Sequence, residues 1–306
     1  MDTEIKQENT NKSIGKRIGY FFLGLLPWLT ALLLQIIVPV FFVLIDSVLF
    51  GIRLANQQIM PGTPEYRQAI LDYSRNLATS PVVFYATFGM YISYVLIFGI
   101  WYYFQYCRKK QTGSYKQVFR PHRFIAILFA GVLLQIGIDM ALALLLPLFP
   151  KTNEFYQTLM ESMLTDSLFM EIALCLLAPL TEEILFRGLI FRTLRRAIPV
   201  PAAIILQALL FGIFHMNIVQ GIYATLLGIC FGCLAYRYNS VIPGILLHMS
   251  INCSSYLVGF LLPDSLEQNP LAMIAIGIAA LIAIPILLYI ACKNVKQIDI
   301  PSAQTV

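Results

Sequence analysis

Two adjacent glutamates and an arginine interrupt an apolar stretch near the middle of the chain, in the run TEEILFRG, Thr181–Gly188. Glu183 and Arg187 are four residues apart, so on a helix they share a face and can form an ion pair. Glu182 lies about 100° around the same helix and can point elsewhere. The spacing therefore predicts different roles for the two carboxylates: one is held by the arginine, and the other remains available for chemistry.

Two further apolar stretches also carry polar side chains. FGIFH ends on His215, and HMSIN places His248 and Asn252 four residues apart. The third histidine of the chain, His122, falls in a basic loop, where we expect it to be solvated. Each ionisable group buried alone in a membrane would cost several kcal/mol. We therefore expect the polar residues of these three stretches to converge on one site.

Such a set of side chains is equipped for hydrolysis by activated water. A glutamate with a neutral imidazole can hold and deprotonate a water molecule. A second imidazole N–H and an asparagine amide can donate to a developing oxyanion. In an alternative arrangement, one glutamate and two histidines bind zinc, with water as the fourth ligand. The residue types alone are compatible with both.

The three stretches resemble the motifs of the CAAX-protease and bacteriocin-processing family of intramembrane endopeptidases. Those motifs are a double glutamate with an arginine four residues after the second, Phe-x-x-x-His, and His-x-x-x-Asn or Asp. EEILFR, FGIFH and HMSIN match them in the same order, each on its own apolar stretch. The resemblance covers roughly Leu168 to Tyr256, under a third of the chain.

The resemblance implies an all-helical membrane protease whose site opens toward the membrane and one aqueous face. Glu182 and His215 would activate the water, His248 and Asn252 would stabilise the oxyanion, and the Glu183–Arg187 pair would brace the site. The resemblance further implies a membrane-associated protein or peptide substrate, such as a CAAX tail. The family also includes bacteriocin-immunity and regulatory proteins. We expect no metal cofactor, with divalent zinc as the alternative.

Two other classes of function compete with a protease. An ion or proton transporter could use the two glutamates and the histidines as a relay, but would favour inverted repeats and broken helices at mid-membrane. A non-catalytic immunity or scaffold protein would carry the same motifs without needing their chemistry. The intact motifs favour the enzyme.

The composition places these motifs in a membrane protein. Of 306 residues, 58% are hydrophobic and 12% charged, about half the charged fraction usual in soluble domains. A spanning helix needs about twenty apolar residues, and eight stretches approach that length. They cover residues 19–47, 81–106, 124–149, 167–191, 199–217, 219–237, 241–262 and 268–291. The predicted fold is an all-α polytopic membrane protein with about eight transmembrane helices.

The basic residues predict the orientation of these helices. With both termini inside, 17 of the 21 lysines and arginines fall on the inner side and 4 outside, as the positive-inside rule requires. The net charge of +5 is then explained by contact with membrane lipid, and we expect no nucleic-acid partner. Short loops without targeting extensions favour the inner membrane of a prokaryotic cell.

The motifs suggest three units along the chain. Residues 1–165 would form three helices with a polar outer loop and a basic inner loop, residues 166–262 the catalytic core, and residues 263–306 a last helix and tail.

The predicted depths of the two membrane histidines conflict with a shared site. At 1.5 Å per residue, His248 would lie about 10 Å from the inner surface and His215 about 25 Å from it, so convergence requires tilted or offset helices.

Overall fold

The computed structural model describes residues 2–77, 80–163, 168–261 and 269–296. In these ranges the chain forms α-helices joined by short turns, without β-strands. The α-helices are α1 (Asp2–Asn56), α2 (Pro64–Asn76), α3 (Pro81–Tyr102), α4 (Pro121–Leu145), α5 (Pro150–Met163), α6 (Leu168–Ile172), α7 (Ala178–Glu183), α8 (Arg192–Leu194), α9 (Val200–Phe214), α10 (Ile218–Tyr238), α11 (Ile242–Leu261) and α12 (Pro270–Cys292). Three π-helical segments are π1 (Tyr103–Cys107), π2 (Ala173–Leu177) and π3 (Ile184–Phe191).

The predicted fold class is confirmed. Within the described ranges, five helices are long and apolar enough to cross a membrane: α1, α3 continued by π1, α4, α10 and α12. The other three predicted stretches are also largely helical. The fourth is the interrupted helix, residues 168–194, in which π2 and π3 alternate with α6, α7 and α8. The fifth is α9, with only 15 residues, and the seventh is α11.

Two elements differ from the sequence prediction. The first helix does not end near residue 47 but continues to Asn56, because the charges of Asp46 and Arg53 are accommodated at its exposed surface, 3.7 Å apart. Tyr73 on α2 also donates to the carboxylate of Asp46 at 3.0 Å. The second difference is the helix α5. It mixes polar and apolar residues, so a search for runs of about twenty apolar residues does not predict it.

The segments predicted to face inside meet at one end of the helix bundle. Arg17 near the start of α1 donates to the carbonyl of Ala197 at 2.9 Å. Arg123 at the start of α4 donates to the carbonyl of Lys293 at 2.8 Å. Arg237 near the end of α10 donates to the carbonyl of Cys292, the last residue of α12, at 3.2 Å. We call this the basic end. Its common location agrees with the predicted topology, although the side on which it lies remains a prediction.

A ridge of small residues on α10 lets α9 pack closely against it. A Cβ added to Gly228 would stand 3.0 Å from the backbone of Ala208, and one added to Gly232 would stand 2.7 Å from the amide nitrogen of Gln207. Both neighbours belong to α9. Small residues at four-residue spacing permit such close helix contact, and here the contact lies within one bundle.

Both boundaries of the three predicted units, at 165/166 and 262/263, lie outside the described residues. The packing crosses these boundaries. α4 packs against both α11 and α12, and α1 packs against the interrupted helix. The segment that carries the motifs is thus enclosed by helices from both flanking parts of the chain.

Candidate active site

Glu183 and Arg187 form a fully buried ion pair. The Nη1 of Arg187 donates to the Oε1 of Glu183 at 2.8 Å, and both side chains are 0% exposed. Nη2 of the same guanidinium donates to the carbonyl of Gly228 at 3.2 Å, and the buried amide of Gln207 donates to that carbonyl at 2.8 Å. Because opposite charges compensate each other's desolvation, the pair can remain ionised inside the bundle.

Gly244 at the start of α11 makes room for the carboxylate of Glu183. A Cβ at this position would clash with the Oε2 of Glu183 and approach its Cδ to 3.1 Å. The same Oε2 is buried and has no hydrogen-bond partner among the described residues. The backbone of α11 therefore closes one side of the carboxylate, and the guanidinium of Arg187 closes the other.

Aromatic rings enclose the guanidinium. Its central carbon lies 4.4 Å from the ring centroid of Phe211 and 4.8 Å from that of Phe231, within the range of cation–π attraction. The imidazole of His248 stacks on Phe231 with the centroids 4.9 Å apart, and it meets Phe211 edge-on at 5.9 Å. The two phenylalanines thus fix the guanidinium and the imidazole relative to each other.

His248 lies between the two glutamates. Its Nδ1 is 3.4 Å from the Oε1 of Glu183, and its Nε2 is 3.8 Å from the Oε2 of Glu182. The side chain of Glu182 retains 12% of its exposure, in contrast to the sealed Glu183. The Glu182–His248 separation exceeds a direct hydrogen bond but allows both atoms to contact one water molecule. The structure therefore places the two carboxylates in different surroundings.

His215 forms the C-cap of α9 and is partly exposed. Its Nδ1 lies 2.8 Å from the carbonyl oxygen of Phe211. A carbonyl only accepts hydrogen bonds, so Nδ1 carries the proton and, in the neutral ring, Nε2 is left as an acceptor. The ring also contacts Phe211 edge-on at 4.8 Å. Since His248 contacts the same phenylalanine, Phe211 links the two imidazoles despite their different predicted depths.

Asn252 is directed toward the interrupted helix. Its Nδ2 donates to the carbonyl of Leu174 at 2.9 Å. In the i→i+5 register of π2, the donor for that carbonyl would be residue 179, which is Pro179 and has no N–H. Asn252 supplies the missing donor. The amide has a second N–H, so a hydrogen bond to a substrate oxygen remains open to it.

Sequence reasoning missed several residues that shape this site. Tyr91 and Tyr94 on α3 are 7% and 2% exposed and lie near Glu182. Phe231 and Gly244 lie outside the three motifs. Tyr91 and Tyr94 share α3 with Tyr85 and Tyr102, so residue type alone does not single them out. Nothing in the local sequence marks Phe231 or Gly244 as neighbours of the charged pair.

The described side chains do not fit a bound zinc ion. No group of three or more histidine, cysteine, aspartate or glutamate side chains in the described ranges is arranged to hold a metal. The geometry gives the reason. Glu182 faces Nε2 of His248 and Glu183 faces Nδ1, so the two carboxylates approach different ring nitrogens, and Glu183 is already bound to Arg187. One ion at about 2.0 Å from each ligand could therefore not bind both carboxylates. The other predicted set, one glutamate with two histidines, is not formed either, because no such group of three occurs among the described residues.

Comparison with known proteins points to the segment that carries the three motifs. Residues 164–254 match the sequence model of the family described as "Type II CAAX prenyl endopeptidase Rce1-like", which is consistent with the CAAX-protease and bacteriocin-processing family. Neither the comparison with curated proteins nor that with solved structures gave a significant match. Together with the apolar helices, the family match identifies an integral membrane protein and supports a protease function of the intramembrane type.

Proposed function

We propose that this protein is an intramembrane endopeptidase that hydrolyses a peptide bond with water activated by Glu182. One observation carries the proposal. Glu182 is the carboxylate of the site without an arginine partner among the described residues, it keeps 12% of its exposure, and it lies 3.8 Å from His248. Its neighbour Glu183 is sealed and neutralised. A free carboxylate beside a bound one is the arrangement that a general base needs.

The cluster carries more carboxylates than cations. Two carboxylates and one guanidinium leave one net negative charge when the imidazoles are neutral. A carboxylate without an arginine partner can accept a proton from a water molecule bound to it. A water molecule at Glu182 can supply that proton, and the hydroxide formed can attack a peptide carbonyl carbon.

The remaining polar groups can complete the reaction. The Nε2 acceptor of His215 can orient the second hydrogen of the water. A proton on Nε2 of His248 and the second N–H of Asn252 can donate to the oxyanion. When the C–N bond breaks, the proton held by Glu182 passes to the leaving amine, so that the step balances.

The proposed substrate is a membrane-associated protein or peptide, in the manner of a CAAX tail. The site is enclosed by helices whose outer surfaces carry large exposed apolar residues, such as Ile213 at 61%. In the turn between α9 and α10, Met216 is 81% exposed. A substrate reaching Glu182 past these residues must tolerate an apolar environment. We place the protein in contact with membrane lipid, in the inner membrane of a prokaryotic cell.

The test compares membrane proteomes of cells that express wild-type protein or the Glu182→Gln variant. We expect at least one membrane-associated protein to persist uncut with the variant and to be cleaved by the purified wild-type protein. Glu171→Gln is a matched control, because Glu171 lies on the same interrupted helix but outside the cluster. Identical cleavage with wild-type and Glu182→Gln protein, both folded, would refute the proposal.

A further inference from the structure

A second polar feature lies at the basic end, away from the glutamates. An open pocket of about 340 Å³ is present where α3 and π1 leave the apolar part of the bundle. We call it the basic-end pocket. Two aromatic, two amide and two cationic side chains line it: Trp101, Phe104, Gln105, Lys109, Gln111 and Arg196. Its volume falls within the range of small-molecule sites.

The acceptors around this pocket are already occupied. The Oε1 of Gln105 accepts from the indole of Trp101 at 2.7 Å, and the Oε1 of Gln111 accepts from Arg196 at 3.3 Å. The backbone carbonyl of Gln111 accepts from Arg192 at 3.0 Å. The hydrogen-bonding capacity that remains in the pocket therefore consists mainly of donors, which is the requirement for binding an anion.

In the part of the chain that the structure describes, carboxylates do not neutralise the positive charge that lines this pocket. Among the described residues, no Asp or Glu forms an ion pair with Lys109 or Arg196. Arg192, only 3% exposed, contacts backbone carbonyls and the rings of two tyrosines instead. Burial, followed by the charge of Arg192, lowers the pKa of Arg195 to about 10. An anion bound nearby would reduce this repulsion.

The pocket is amphiphilic as well as cationic. Trp101 on α3 and Phe104 on π1 precede Lys109 along the chain, and Phe104 is 53% exposed. Aromatic rings next to lysines and arginines mark the boundary between hydrocarbon and headgroups. A soluble phosphate would use only the cations, whereas a phospholipid would use both sides of the pocket.

From these contacts we infer that the basic-end pocket binds the phosphodiester headgroup of an anionic phospholipid. Lys109 and Arg196 contact the phosphate, the amide N–H of Gln111 donates to it, and Trp101 with Phe104 packs against the glycerol and the first acyl carbons. This role is separate from the chemistry proposed for Glu182 and can be tested without a protease substrate.

The chain contains two tryptophans, so a Trp28→Phe background leaves Trp101 as the single fluorescent reporter. The purified full-length protein in neutral detergent is titrated with short-chain phosphatidylglycerol, with short-chain phosphatidylcholine and with inorganic phosphate. We expect a saturable change in Trp101 emission with phosphatidylglycerol only. Lys109→Gln and Arg196→Gln should each weaken it about fivefold, the attraction expected for one basic residue near an anionic lipid.

Lys116→Gln is the matched control, because Lys116 is an exposed lysine of the same basic segment outside the pocket. Loss of affinity equal to that of Lys109→Gln would mean general surface attraction and would overturn the inference. Equal saturation by phosphatidylcholine, or by inorganic phosphate alone, would also overturn it. Since Lys109 is exposed, Lys109→Gln should fold even if Arg196→Gln does not. In that case the affinities of Lys109→Gln and Lys116→Gln for phosphatidylglycerol are compared to test the inference.

Discussion

Replacement of Gly244 by alanine tests whether the buried ion pair depends on the backbone of α11. The added methyl group would clash with the Oε2 of Glu183 and stand 3.1 Å from its Cδ, where nonbonded carbons prefer about 3.5–4.0 Å. The carboxylate must therefore move by about 0.5–1 Å. Its hydrogen bond to Arg187 is 2.8 Å long, so a shift of this size brings it to the limit of hydrogen bonding.

The expected cost lies between two limits. Overpacking alone costs about 1–3 kcal/mol, and loss of one partner from a buried ion pair costs about 3–5 kcal/mol. We expect Gly244→Ala to reduce the free energy of unfolding by about 3 kcal/mol. Activity should fall at least about 100-fold, since a misplacement of about 1 Å has that effect in active sites.

Denaturant unfolding in detergent, followed by circular dichroism, measures the first effect. Gly137→Ala is the control, because nothing lies within 4 Å of a Cβ at that helical glycine, and alanine should stabilise it by about 0.5–1 kcal/mol. A double-mutant cycle with Glu183→Ala identifies the cause: without the carboxylate the methyl group has space, so most of the cost of Gly244→Ala should disappear. Additive costs would refute the reasoning.

Three further predictions follow from the site. Asn252→Ala should lower the free energy of unfolding by about 1–3 kcal/mol, because it leaves the carbonyl of Leu174 unsatisfied. Pro179→Ala in that background supplies an N–H and should restore part of the stability, as measured by thermal unfolding. No restoration would contradict the proposed role of the asparagine. Phe231→Leu should destabilise the protein by about 1–2 kcal/mol through loss of the stacked His248 and the cation–π contact, whereas unchanged unfolding and cleavage would count against an aromatic enclosure. Incubation with a zinc chelator should leave cleavage of the identified substrate unchanged, and loss of cleavage that zinc restores would establish the metal alternative.

The features predicted well from the sequence are those set by local spacing. Glu183 and Arg187 pair because four residues make one helical turn. The same four-residue spacing lets the amide of Gln135 donate to the carboxylate of Asp139 on α4 at 2.8 Å. The described parts of the eight apolar stretches are largely helical, because a chain in a membrane must satisfy its backbone internally.

The features that escaped prediction depend on contacts between distant parts of the chain. Phe231 stacks on His248 because α10 and α11 pack side by side at that level, which no local pattern states. Gly244 resembles any helical glycine until Glu183 is placed against it. The π register before Pro179 was in principle accessible, since a proline deprives an earlier carbonyl of its donor, but the donor that replaces it comes from Asn252, 73 positions along the chain.

The short length of α9 has a consequence for how water reaches the site. A helix of 15 residues is about 22 Å long, whereas the hydrocarbon core of a bilayer is about 30 Å thick. Lipid beside a short helix thins to match it, so the aqueous boundary is drawn inward toward the end of α9. His215 caps that end. Hydration of the proposed catalytic cluster thus depends on the protein and its surrounding lipid together. If Glu182 activates water, thicker bilayers should slow hydrolysis even when every side chain is in place.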